Sequence, residues 1–194
     1  MFQPSEVIDS SQILYEDNHL IIIHKKASEI VQGDKTGDIP LSDKVKNFIK
    51  ERDNKPGNVF CGVCHRLDRP VSGIVIFAKT SKALSRMNEI FRDKTIQKTY
   101  WAVVKNKPPH AKQRLTHYLV KNEQTNKSKA YNEPRNGALK AELEYTLLAS
   151  ISNYHLLEIN LFTGRHHQIR AQLSAIGCPI KGDLKYGFDR SNPD

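Results

Sequence analysis

Leu143, Tyr145 and Leu147 alternate with Glu142, Glu144 and Thr146, the period of a strand that buries one face. A second apolar, strand-like stretch at 154–162 follows with too little chain between for a helix. Strands this close in sequence pair side by side in opposite directions, because a parallel pair needs a crossover of about a dozen residues or more. That constraint favours an α+β fold with a mixed, mostly antiparallel sheet flanked by helices over a doubly wound one.

The rest of the chain fits that frame. Residues 12–15 and 20–24 read as two short strands around Glu16-Asp17-Asn18. Residues 25–38 are polar and read as loop. Leu41, Val45, Phe48 and Ile49 form one apolar face of a helix over 40–52. Residues 73–80 (GIVIFAKT) read as a buried strand. A helix follows, with Ser81 as N-cap and Leu84, Met87, Ile90 and Phe91 as its stripe. Residues 99–104 read as a strand, and 124–137, with Pro134 and Gly137, as an exposed loop. A helix after Thr163-Gly164 carries Ile169, Leu173 and Ile176 and ends at Gly177. No linker stands out, so residues 1–194 read as one domain.

Charge narrows the partners. Thirty Lys and Arg against 21 Asp and Glu leave +9, which suits a polyanion such as nucleic acid. No apolar run approaches the roughly 20 residues of a membrane helix, and the start lacks a signal-peptide pattern. A cytoplasmic location and no membrane partner are expected. Three cysteines, Cys61, Cys64 and Cys178, argue for reduced thiols rather than a disulfide framework.

Three segments can carry chemistry. His65-Arg66-Leu67-Asp68-Arg69-Pro70-Val71-Ser72-Gly73 is a charged loop running into an apolar strand, which is a rigid base for a reactive group. Read on its residues alone, it is more simply a solvated turn stitched by surface ion pairs, since charged turns are common. Lys98-Thr99-Tyr100-Trp101-Ala102 reads as a strand with core aromatics. Thr163-Gly164-Arg165-His166-His167-Gln168-Ile169-Arg170 lies at a strand-to-helix junction, where backbone N–H groups and two arginines would suit phosphate.

In this order and spacing the three segments resemble the motifs of the RluA-type family of RNA pseudouridine synthases. Lys181-Gly182-Asp183-Leu184-Lys185-Tyr186-Gly187 is similar to a segment that follows the third motif, and Ile13-Leu14-Tyr15-Glu16-Asp17-Asn18 to the family's first hairpin. The resemblance covers about residues 12–188 and implies a single catalytic domain that isomerises uridines in ribosomal or transfer RNA. It implies that Asp68 is the nucleophile, that Tyr100 packs on the target base, and that Arg165 pairs with the aspartate, with Arg170 as second choice. His65, Arg66, Arg69, His167, Gln168 and Arg170 are the expected substrate-binding residues, with His65 orienting the loop by hydrogen bonds. No cofactor and no metal are expected, since the reaction is neither redox nor hydrolytic, and a monomer is expected.

The sequence departs from the family pattern in places. Val71 stands where threonine is common, and Lys25-Lys26-Ala27-Ser28 where Lys-Pro-x-Gly is common, so that loop is expected to differ in shape. No small N-terminal RNA-binding domain of the kind many relatives carry is expected within these residues. The chain stops at Asp194, where relatives often continue with another strand and helix.

Other readings compete. Cys61-Gly62-Val63-Cys64-His65 matches a haem-attachment pattern, but no export signal accompanies it. Zinc on the cysteines lacks a second close ligand pair, and inert thiols fit better. A non-catalytic RNA-binding protein would share the charge without needing Asp68. A hydrolase using His65 and Asp68 lacks a paired carboxylate.

Overall fold

The computed structural model describes residues 2–34 and 36–191. Lys35, within the expected loop, and the chain end at Asp194 lie outside the described residues. The chain divides into two compact units, Met1–Thr95 and Ile96–Asp194. Every strand pairing among the described residues is antiparallel, so the α+β expectation holds, with the strands distributed over two sheets.

The first unit holds a four-stranded sheet made of β1 (Ile13–Glu16), β2 (Leu20–Lys25), β3 (Gly62–Val63) and β4 (Gly73–Ala78), in the order β1-β2-β4-β3. Asp17 makes the β1–β2 turn, its carboxylate accepting from the N–H groups of His19 and Leu20, both at 2.7 Å. Helix α1 (Leu41–Arg52) turns Leu41, Val45 and Ile49 inward, and they form one core with Ile21 and Ile23 of β2 and Val75 and Phe77 of β4. β4 alternates rather than burying both faces, since Ile74 is 58% exposed. Helix α2 (Ser81–Arg92) is capped one residue earlier than expected. Thr80, not Ser81, has the extended backbone a cap requires, and its hydroxyl accepts from the N–H of Ala83 at 3.1 Å.

The second unit holds a five-stranded sheet: β5 (Lys98–Val104), β6 (Lys112–Asn122), β7 (Lys127–Tyr131), β8 (Leu139–Ile151) and β9 (Tyr154–Leu161), ordered β5-β9-β8-β6-β7. Helix α3 (Gln168–Ala175) covers one face, where Leu173 joins Leu143, Tyr145, Leu157 and Ile159. Gly177, at φ +75°, ends α3 as expected. The segment expected as a loop over 124–137 instead contains β7, paired with a β6 that the sequence reading did not anticipate. β7 is hard to see locally because its exposed face is Lys127 and Lys129 and its buried residue is Ser128. No described helix is long and apolar enough to cross a membrane.

Candidate active site

In the first unit the His65–Gly73 segment links β3 to β4. His65 accepts the N–H of Ile76 on its Nε2 at 3.2 Å and packs its ring 5.0 Å from that of Phe91. Leu67 packs against the core of the first unit, so the residue before Asp68 is an apolar anchor. The turn closes with Val71 N–H donating to the Asp68 carbonyl at 3.0 Å. Asp68 is half-buried and Arg66 exposed. Arg69 forms an ion pair with Asp38 and lines an open pocket with Ser28, Glu29 and Lys44.

Lys25, the first residue of the stretch expected as loop, holds this segment in place. Lys25 ends β2 in phase with the buried Ile21 and Ile23 and is itself wholly buried. Its ammonium donates to the carbonyls of Arg69 at 3.0 Å, Val71 at 2.5 Å and Lys26 at 3.1 Å. Burial pulls its pKa from 10.5 to about 8, while the charges of Glu29 and Asp68 push it back up and that of Arg69 lowers it. Ser28 adds a backbone N–H to the Arg69 carbonyl at 2.9 Å. It does so at φ +69°, a conformation that suits glycine, so the loop expected to differ in shape takes a backbone that a glycine there would adopt without strain. The strand phase was the available signal for Lys25: residues 21, 23 and 25 share one face.

In the second unit Tyr100 sits half-buried on β5, against the core beneath α3, whereas neighbouring Trp101 is 71% exposed on the opposite face. The third motif is tied from within by Gln168. Its amide oxygen accepts from the Thr163 hydroxyl at 2.8 Å and the Arg165 N–H at 2.9 Å, and its amide nitrogen donates to the Glu142 carbonyl at 3.0 Å. Gln168 is buried, so it acts on the loop that carries Arg165. The exposed Arg165 directs its Nε to the Lys140 carbonyl at 3.0 Å.

The fourth segment packs onto the third. Arg170 forks onto Asp183, with two contacts of 2.7 Å. His167 starts α3 at φ +51°, stacks on His166 at 3.8 Å, and places Nδ1 2.9 Å from the Tyr186 hydroxyl. That hydroxyl accepts from Ser128 N–H at 2.8 Å, which joins β7 to the same cluster. Nothing in the sequence marked Ser128 or Tyr186 as partners, since they are 58 residues apart.

No cluster of three or more metal-ligating side chains occurs among the described residues. Burial pushes the thiols of Cys61 and Cys64 up to about 12 and about 11, away from the thiolate that coordinates metals.

A family model described as RNA pseudouridylate synthase matches residues 19–175. The chain is 32% identical over 187 residues to ribosomal large subunit pseudouridine synthase C of Rickettsia bellii, covering 96% of this chain and 60% of the relative. It is 34% identical to the protein of that name in Buchnera aphidicola, covering 95% and 56%. A solved structure of human RNA pseudouridylate synthase domain containing 4 superposes with a TM-score of 0.78 at 25% identity, covering 95% of this chain and 74% of that one. The chain thus spans 60% or less of the length of these two curated relatives. With a loop clamped around Asp68, a third motif stapled by its own glutamine, and a match over most of its length, the chain belongs to the RNA pseudouridylate synthase family.

Proposed function

We propose that the chain is an RNA pseudouridine synthase that isomerises selected uridines, with Asp68 as nucleophile. The observation that carries this reading is the clamp on its loop: a buried ammonium and a backbone N–H hold the carbonyls just after Asp68. A half-buried carboxylate on a rigid turn is what covalent catalysis requires. The reaction breaks the N-glycosidic bond, turns the uracil, and rejoins it through carbon. The attacking group in that chemistry is a carboxylate, and an arginine close by would stabilise its negative charge.

The other roles are proposed residue by residue. Tyr100 packs on the target base. Arg165 pairs with the aspartate, and it is preferred over Arg170 because Arg170 forks onto Asp183. His65, Arg66, Arg69, His167 and Gln168 serve substrate binding, His65 and Gln168 by holding their loops. A target uridine must leave its stack, at a cost of about a few kcal/mol. Both units belong to one catalytic domain in this reading, which takes the enzyme to be a monomer of the cytoplasm. Ribosomal RNA is the preferred substrate over transfer RNA, because these relatives are named for the large ribosomal subunit.

The test is pseudouridine mapping on RNA treated with wild type and with Asp68→Asn. Wild type should create pseudouridine and the variant none, while both retain RNA binding. Equal modification by both would remove Asp68 from the chemistry, and binding with no modification by wild type would favour a non-catalytic RNA-binding protein.

A further inference from the structure

The face of the second unit's sheet that turns away from α3 carries an aromatic and basic surface outside the sequence motifs. Side chains alternate along each strand, and Leu119 and Ala130 pack with Ala171 of α3. Their neighbours Tyr118 and Tyr131 therefore face the other way, and they are direct cross-strand partners on β6 and β7. Both are half-buried. Arg135 lies over the Tyr131 ring, its guanidinium carbon 3.6 Å from the centroid, and Lys129 stands 5.2 Å from it. Lys140 of β8 is opposite Tyr118, and its carbonyl accepts from the Arg165 side chain. The surface is thus continuous with the arginine of the third motif. Glu142 offsets Lys140 at 3.2 Å, on the side away from Tyr131. Farther along the same face Lys112 and Arg114 pair with Glu144 and Glu142 at 3.1 and 3.3 Å, so the positive charge around the rings comes from Lys129, Arg135 and Lys140.

Positive side chains around paired aromatic rings fit a strand of nucleic acid whose base faces are uncovered. Phosphates meet the cations while a base stacks on a ring. A duplex hides its base faces, so it would gain only the charge. We propose that the surface formed by Tyr118, Tyr131, Lys129, Arg135 and Lys140 docks single-stranded RNA flanking the target uridine, with Arg165 at its inner end. The identity of the RNA rests on the pseudouridine synthase reading, whereas the preference for a single strand rests on the surface itself.

The test compares binding of the full chain to a 5′-labelled, uridine-rich single strand of about 15 nucleotides, within the span that stacking grooves track, and to a duplex RNA of equal length. Tyr131→Ala should weaken the single strand about tenfold, with Tyr131→Phe within about twofold of wild type and the duplex little changed by either. Arg135→Gln should weaken the single strand and lower its salt dependence by about one ion. Wild-type affinity of Tyr131→Ala or of Arg135→Gln for the single strand overturns the proposal, as does equal loss on both probes by Tyr131→Ala. Failure of the functional reading shows separately, as absence of pseudouridine from wild-type reactions while the binding contrast persists.

Discussion

Replacing Lys25 by methionine tests the clamp on the Asp68 loop. Methionine keeps the length of the side chain and removes its charge and donors. The Arg69 carbonyl retains the Ser28 N–H, but the carbonyls of Val71 and Lys26 lose the ammonium as partner. Each such loss costs about 1–3 kcal/mol where water does not substitute. Against this, wild type carries the penalty of keeping a charge in a buried site. A pKa lowered from 10.5 to about 8 makes that penalty about 3 kcal/mol at neutral pH. The two effects nearly offset at pH 7, so the stability difference there is small and its pH dependence is the sharper signal. The unfolded chain holds the Lys25 proton up to about pH 10.5, while the folded chain releases it near 8. The unfolded state therefore binds more protons across that window, and rising pH favours the fold. Between pH 7 and 9.5 wild type should gain about 2 kcal/mol relative to Lys25→Met in denaturant unfolding, with the other titrating groups common to both proteins. Activity reports the positional part. Relaxation of the loop by about 1 Å should lower kcat by about a hundredfold and leave KM close to wild type. A difference in stability that stays flat or narrows with pH, or a variant with wild-type kcat, would refute the clamp.

Two further changes probe the same framework. Ser28→Gly relieves a left-handed conformation that costs a side chain about 1–2 kcal/mol, partly offset by added freedom in the unfolded chain, so the melting temperature should rise by about 2 °C; a fall would show that the hydroxyl contributes more than the strain. Asp183→Asn removes the charge that meets Arg170 in a mostly buried fork and should cost about 3 kcal/mol in denaturant unfolding, while a loss under about 1 kcal/mol would mean that the guanidinium finds another partner.

How much was legible depended on whether the signal was local. The β8 alternation, the α1 stripe and the Gly177 stop are each fixed by residues within about two turns or a few strand positions, and each stands where the sequence placed it. The three chemical segments were legible as motifs, but their residues did not reveal how they are held. Gln168 carried no mark of the buried amide that staples Thr163, Arg165 and Glu142, because its partner Glu142 lies 26 residues away.

By itself the sequence determined an α+β chain with mostly antiparallel strands, a net charge of +9 suited to a polyanion, and the segments that carry Asp68, Tyr100 and Arg165. Only the tertiary structure decided that polar residues 127–131 form a strand, that Lys25 is buried under the loop of Asp68, and that Arg170 is directed to Asp183. The physical reason is that periodicity and turn chemistry are properties of neighbours in the chain. A buried ammonium or a polar edge strand is stable only through partners brought from elsewhere, and those partners exist only once the chain has folded.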